Sequence, residues 1–182
     1  MNLIYLAAEN PETIDNAIFL HGAATYTQED MAAWAEKYPE LMQAFVAFNQ
    51  EMQSPELSVD EKTERMRAMW LEQWFPLSFA DQAAAPATLD RLFGNAEFSW
   101  AHADYSQRAY TSFHALDQLP LITARCLVIA GAHDMMPVSK GEELAGGLGD
   151  ARFVLFEESG HYAPAEEPEA FEELVFGFLG VS

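Results

Sequence analysis

Three apolar runs in this chain end in residues able to do acid–base chemistry. Residues 17–20 lead into His21-Gly22, residues 125–130 into Gly131-Ala132-His133-Asp134, and residues 151–156 into Glu157-Glu158-Ser159-Gly160-His161. An aspartate that accepts a hydrogen bond from one imidazole nitrogen fixes the ring's tautomer. The other nitrogen is then free to act as a general base. Asp134 followed by His161 therefore offers two of the three groups of a nucleophilic triad. Spacing alone leaves plainer roles open. An aspartate at a strand end often caps a turn or helix, and a loop histidine is often only a polar loop residue.

These side chains meet only if their strands lie side by side. Run 17–20 is short, continuous and apolar, as expected of a strand buried on both faces; 125–130 reads as a second buried strand and 151–156 as a third. Helical patterns flank them. Residues 1–9 put Leu3, Leu6 and Ala7 on one face, residues 138–148 form a second helix, and residues 168–179 line up Phe171, Leu174, Val175 and Phe178. Strands separated by helices lie parallel in one sheet, and ligands bind such sheets beyond the carboxyl ends of the strands. The expected fold class is α/β, with about three parallel strands, flanking helices and an inserted helical region.

That region begins after residue 22 and runs to about 116. Helices are expected at 28–38, at 39–52, and from a capping box at Ser58-Val59-Asp60-Glu61 through Met66, Met69, Trp70 and Trp74 to Pro76. Two more are expected at 86–93 and 98–116. No strand pattern stands out, and Ala83-Ala84-Ala85-Pro86 reads as the loosest connector.

Composition narrows the partners. The 182 residues are 50% hydrophobic and 13% aromatic, enough for a real core, and the formal charge is −20. Such a surface repels phosphate backbones and anionic lipid, so nucleic acid and membrane are not expected partners. The single cysteine, Cys126, excludes a disulfide within the chain, and no Cys/His spacing suits a metal. No cofactor or metal is implied, and Cys126 is expected in the core. The first residues carry no Lys or Arg ahead of the apolar run, so a signal peptide is not expected. No run has the length of a membrane span. A cytoplasmic protein is the expectation.

Residues 119–179 resemble the C-terminal segment of α/β-hydrolase fold proteins. The pattern is an apolar strand, Gly-x-x-Asp, a Pro-capped helix, a second strand, Gly-His, a Glu-Pro turn and a closing helix. It appears here as Gly131, Asp134, Pro137, Gly160, His161, Glu167 and Pro168. The stretch YLAAENPETIDNAIFLHGAA resembles the same family's segment just after the nucleophile. The resemblance implies that Asp134 is the triad acid and His161 the general base. It also implies a hydrolase core at 1–24 and 117–182, with a helical cap or lid at 25–116.

The family's nucleophile sits in a Gly-x-Ser-x-Gly turn, and none of the nine serines, at 54, 58, 78, 99, 106, 112, 139, 159 and 182, has glycine at both flanking offsets. His21-Gly22 resembles an oxyanion-loop dipeptide, but no nucleophile follows where that assignment needs one, so His21 is taken as a strand-end residue near the cap hinge. The expectation is a fragment of a serine-type hydrolase that lacks nucleophile and oxyanion hole, inactive alone, with an unpaired sheet edge through which it self-associates. The alternatives are a non-catalytic binding domain on the same fold, and the epoxide-hydrolase or dehalogenase branch.

For substrate, the region 98–134 resembles the end of the cap in proline iminopeptidase-like hydrolases, which implies an ester, peptide or amide substrate and an acidic cap residue for an amino terminus. Glu72 between Trp70 and Trp74 is the candidate, the two tryptophans being candidate substrate contacts. At helical spacing such aromatics also serve as cap core.

Overall fold

The computed structural model describes residues 2–109 and 113–181. Met1, at the head of the expected first helix, residues 110–112, inside the expected helix 98–116, and Ser182 lie outside the described residues. The chain divides into two compact units. One comprises residues 1–25, 78–81 and 113–182, the other residues 26–77 and 82–112.

The first unit is built on a parallel three-stranded sheet. Its strands are β1 (Asn16–Leu20), β4 (Arg125–Gly131) and β5 (Ala151–Phe156), in the order β1-β4-β5. The register pairs Leu20 with Ile129 and Gly131 with Phe156. As the middle strand, β4 is buried from Cys126 to Gly131, which is why its run shows no polar alternation. Its side chains nonetheless divide by parity. Cys126 and Val128 enter one core with Ala17, Phe19, Leu144, Leu119 and Ile4. Leu127 and Ile129 enter the other with Phe156, Ala163 and Phe178.

Helices cover both faces. Helix α1 (Asn2–Glu9) and α7 (Val138–Gly147) serve the first core, and α9 (Pro168–Leu179), entered through the single turn α8 (Ala163–Glu166), serves the second. The expected apolar face of α9 holds, with Phe178 buried and Phe171, Leu174 and Val175 packed against its cluster. In α1 the buried face is turned from the one expected. Ile4 and Ala7 are inside and Leu6 is 54% exposed. Residues 4 and 7 are three apart and share a face with Leu3 and Ala8, which rotates Leu6 toward solvent.

The second unit is helical. Thr27 and Asp30 form a capping box for α2 (Gln28–Lys37), α3 is Pro39–Met52, and Ser58 with Glu61 caps α4 (Val59–Met69) as its sequence predicts. The expected regular helix up to Pro76 opens instead into a wide turn over Trp70–Trp74, where the Phe75 N–H bonds to the Trp70 carbonyl. Pro76 explains this, because it has no N–H and its ring crowds the carbonyl four residues back. A 3-10 turn, Phe75–Ser78, carries the chain past it. Helix α5 (Ala85–Phe93) begins at the presumed loose connector, yet Ala85 is fully buried. Helix α6 covers Trp100–Ala109.

The expected helix 98–116 ends earlier than predicted, and short strands exist where none was expected. Thr25–Tyr26 (β2) pairs with Phe113–His114 (β3) in a two-stranded sheet. The Ala115 N–H extends that pairing to the Ala24 carbonyl. Two residues are too few to show a period of two in sequence.

Candidate functional site

Strands β4 and β5 end side by side, and their following loops are fastened together by backbone. Ala132 N–H donates to the Phe156 carbonyl at 2.9 Å, and His133 N–H to the Ser159 carbonyl at 3.0 Å. This contact explains the glycine of the Gly-x-x-Asp motif. A Cβ on Gly131 would lie 2.0 Å from the Gly160 carbonyl oxygen and 2.5 Å from that of Ser159. Gly160 has its own constraint, since a Cβ there would lie 2.0 Å from the Ser78 carbonyl oxygen. That same carbonyl accepts the His161 N–H at 2.6 Å.

Acidic residues of the Glu-Pro turn hold the histidine loop in shape. The Glu166 carboxylate accepts N–H bonds from Gly160 (2.9 Å), Tyr162 (3.3 Å) and Ala80 (2.8 Å). The buried Ser159 hydroxyl donates to Glu167. Phe79 stacks on Tyr162 with centroids 4.5 Å apart. Residues 78–81, which belong to the α/β unit although they interrupt the helical region, thus brace the loop that carries His161.

Asp134 sits in a tight turn, with its Oδ1 accepting the Met136 N–H at 3.0 Å. Its Oδ2 faces two imidazoles. Nδ1 of His161 lies 2.7 Å away in a hydrogen bond. Nδ1 of His21 lies 3.1 Å away, close enough to help hold the carboxylate ionised. The two rings stack at 4.6 Å with 30° between their planes. The side chains of Asp134 and His21 are 3% and 2% exposed, that of His161 42%.

Burial pushes the Asp134 carboxyl up. The hydrogen bond from His161, the His21 imidazole, the charge of His161 and the Met136 N–H outweigh burial and hold it at about 2. A carboxylate so held stays ionised and keeps the Nδ1–H tautomer of His161. Nε2 of His161 is then the atom available to take a proton. Burial, with the charges of Asp134 and Glu166, pushes the neighbouring Tyr162 hydroxyl up to about 12.

His21 is the residue that sequence reasoning left out of the site. It follows β1 with φ of 50°, and its N–H donates to the Ile129 carbonyl at 2.8 Å. The parallel pairing with β4 carries it to the sheet edge where Asp134 emerges. Its place on a third strand end was the available signal. Strain at a positive φ costs about 1–3 kcal/mol, and His21 bears it.

The other candidates lie in the helical unit. Trp70 packs on Phe75 and Phe98 at 5.8 and 5.9 Å, and Trp74 on Trp34 and Phe45 at 4.8 and 5.3 Å. Both therefore take part in that unit's aromatic core. Glu72 is exposed and lines a surface depression of about 350 Å³ with Glu51, Arg65 and Gln73, where Arg65 pairs with Glu51.

The backbone is shared with known enzymes. Over 98% of the chain it superposes on 62% of an esterase from Exiguobacterium antarcticum, with a TM-score of 0.69 and 20% identity. Over 97% it superposes on 60% of an enol-lactonase from Burkholderia xenovorans LB400, with a TM-score of 0.64 and 22% identity. An α/β fold family hydrolase from Bacillus anthracis gives a TM-score of 0.68 over 97% of this chain, at 18% identity. The chain has the α/β-hydrolase fold. In sequence, 76 residues are 37% identical to 2-hydroxy-6-oxo-6-phenylhexa-2,4-dienoate hydrolase of Comamonas testosteroni, covering 41% of this chain and 27% of that protein. No family model matches the sequence. The chain spans about three-fifths of the length of these solved structures.

Proposed function

We propose that this chain carries the acid–base pair of a hydrolase of the α/β-hydrolase superfamily, acting by acyl transfer. The observation that carries the reading is the 2.7 Å contact between Nδ1 of His161 and Oδ2 of a buried, ionised Asp134. In this reading Nε2 of His161 takes the proton of a nucleophile's hydroxyl as its oxygen attacks a substrate carbonyl. The imidazolium then returns the proton to the leaving group, and water repeats the cycle on the acyl intermediate. The nucleophile and the oxyanion donors come from a segment outside these 182 residues, because no serine here stands in a Gly-x-Ser-x-Gly turn. Ser159, close in sequence to His161, is buried with its hydroxyl given to Glu167. β1, with β4 as its single sheet neighbour among the described residues, is where such a segment would add its strand. The same free edge would support self-association of the chain alone.

The substrate we infer is a small carbonyl compound with an ester or amide leaving group. The similarity to the dienoate hydrolase adds a second class, a hydroxy-oxo-dienoate substrate. The aminopeptidase-like reading rests on residues 98–134 and on Glu72, whose exposed carboxylate has the charge to hold an amino terminus.

The test begins with the coding DNA in frame before the Met1 codon. A Gly-x-Ser-x-Gly there defines a longer chain, to be expressed and assayed with p-nitrophenyl esters and aminoacyl amides. His161→Gln and Asp134→Asn in that chain should each lower kcat by on the order of 10³-fold or more. An Asp at the nucleophile position would move the assignment to the epoxide-hydrolase or dehalogenase branch. A stop codon close upstream, with no activity in the 182-residue chain, would favour a non-catalytic binding domain. Full activity in the His161→Gln protein would overturn the proposal.

A further inference from the structure

We propose that His21 is a positioning residue for the acid–base pair: it shares the Asp134 carboxylate with His161 and backs the His161 ring, so that Nε2 of His161 keeps one direction. The inference rests on the acid–base reading of Asp134 and His161 given above, and adds to it a residue from a different strand end.

The polar contact comes first. Nδ1 of His21 lies 3.1 Å from Oδ2 of Asp134, and both side chains are almost wholly buried. A nitrogen lone pair that close to an ionised carboxylate would be repelled, so Nδ1 carries its proton and faces the oxygen as a donor. The backbone is the second observation. His21 is held at a φ of 50°, with its N–H on the Ile129 carbonyl at 2.8 Å. A glycine or an asparagine would hold that turn at less cost. What histidine adds is a flat ring with a donor aimed at Asp134. The third observation is the ring contact itself. The His21 ring lies on that of His161 at 4.6 Å and 30°, while Tyr162 meets the His161 ring edge-on at 5.6 Å and 73°.

These contacts supply what the Asp134–His161 hydrogen bond lacks. The His161 side chain is 42% exposed and carried on a loop, and a bond at one ring nitrogen leaves the ring able to swing about that bond. A buried ring packed on its face restricts the swing and so directs Nε2. The carboxylate is fixed in turn by three groups: His161 and His21 at Oδ2, and the Met136 N–H at Oδ1. Glu166, on the loop of His161, is occupied by the N–H groups of Gly160, Tyr162 and Ala80. An oxygen that serves two N–H donors gives each a weaker bond than it would give one alone. His21 therefore also moderates the pull of Asp134 on the Nδ1 proton of His161.

The test uses the 182-residue chain, labelled with ¹⁵N-histidine, and reads the Nδ1–H resonance of His161 at neutral pH. His161→Gln removes that resonance and so assigns it. His21→Phe keeps a ring against His161 and loses the donor. His21→Asn loses the ring, and asparagine accepts the positive φ, so this variant keeps the turn. In His21→Phe the resonance should move downfield, because Oδ2 then serves His161 alone. In His21→Asn its exchange with water should quicken on the order of tenfold, because the ring is no longer backed. In the longer chain that carries the nucleophile, His21→Asn should lower kcat on the order of tenfold with KM unchanged. An Nδ1–H resonance with the same position and exchange rate in wild type and both His21 variants would overturn the inference and leave the acyl-transfer reading standing. Full activity of His161→Gln in the longer chain would overturn the acyl-transfer reading, and with it a catalytic purpose for His21, while the resonance would still report the contact.

Discussion

Replacing Asp134 by Asn tests the electrostatics of the site without needing a substrate. The Asp134 carboxyl is held at about 2, against an ordinary value of 3.8. One unit corresponds to about 1.4 kcal/mol, so the ionised carboxylate stabilises the fold by about 2 kcal/mol at neutral pH. The sign follows from the direction. A carboxyl with a lower value in the folded than in the unfolded chain contributes fully above the unfolded value and loses that contribution as pH falls through the folded value. About half of the 2 kcal/mol should therefore be gone at pH 3. The assay is urea unfolding of wild type and Asp134→Asn at pH 5, 4 and 3, the window in which carboxylates titrate. The other acidic residues titrate in both proteins and cancel in the difference. The gap should stand near its full value at pH 5 and close by about 1 kcal/mol at pH 3. A gap that stays constant across the window would refute the claim that the two imidazoles hold Asp134 ionised.

Two further substitutions probe the frame. Leu127→Ala, at a fully buried position of the central strand, should cost about 2–5 kcal/mol in urea unfolding. Gly160→Ala sets a methyl 2.0 Å from the Ser78 carbonyl oxygen and should cost about 3 kcal/mol or more, whereas Gly146→Ala, with open space around its Cβ in α7, should be neutral or stabilising by about 0.5 kcal/mol.

What the sequence made legible follows from what local chemistry can encode. Strand β4 was legible because a strand buried on both faces must be apolar along that stretch, β1 and β5 because their runs are mostly apolar although Leu20 and Arg152 are exposed, and helices α3 and α9 because a proline opens each. The Asp134–His161 pair was legible because its strands are consecutive and their loops are short. The 3.1 Å approach of His21 was not, since it depends on β1 pairing with β4 across a hundred residues and on one left-handed backbone angle. The place of residues 78–81 was hidden for a similar reason. Their role is carried by backbone, through the Ser78 carbonyl and the Ala80 N–H, and backbone groups leave no residue type to read.

That distinction bears on why the site is ordered within this chain. Each group that fixes the Asp134–His161 geometry is internal to the α/β unit: the paired ends of β4 and β5, the Gly131–Gly160 contact, the Glu166 carboxylate over the histidine loop, and residues 78–81 beneath it. None of these contacts involves a nucleophile or an oxyanion donor. A hydrolase built this way has its acid–base pair preorganised by the sheet, and the nucleophile meets an imidazole whose tautomer is already set. The same independence leaves His21 beside Asp134 whatever strand pairs with β1. The second imidazole is therefore a property of this half of the fold, set beside the carboxylate before any nucleophile arrives.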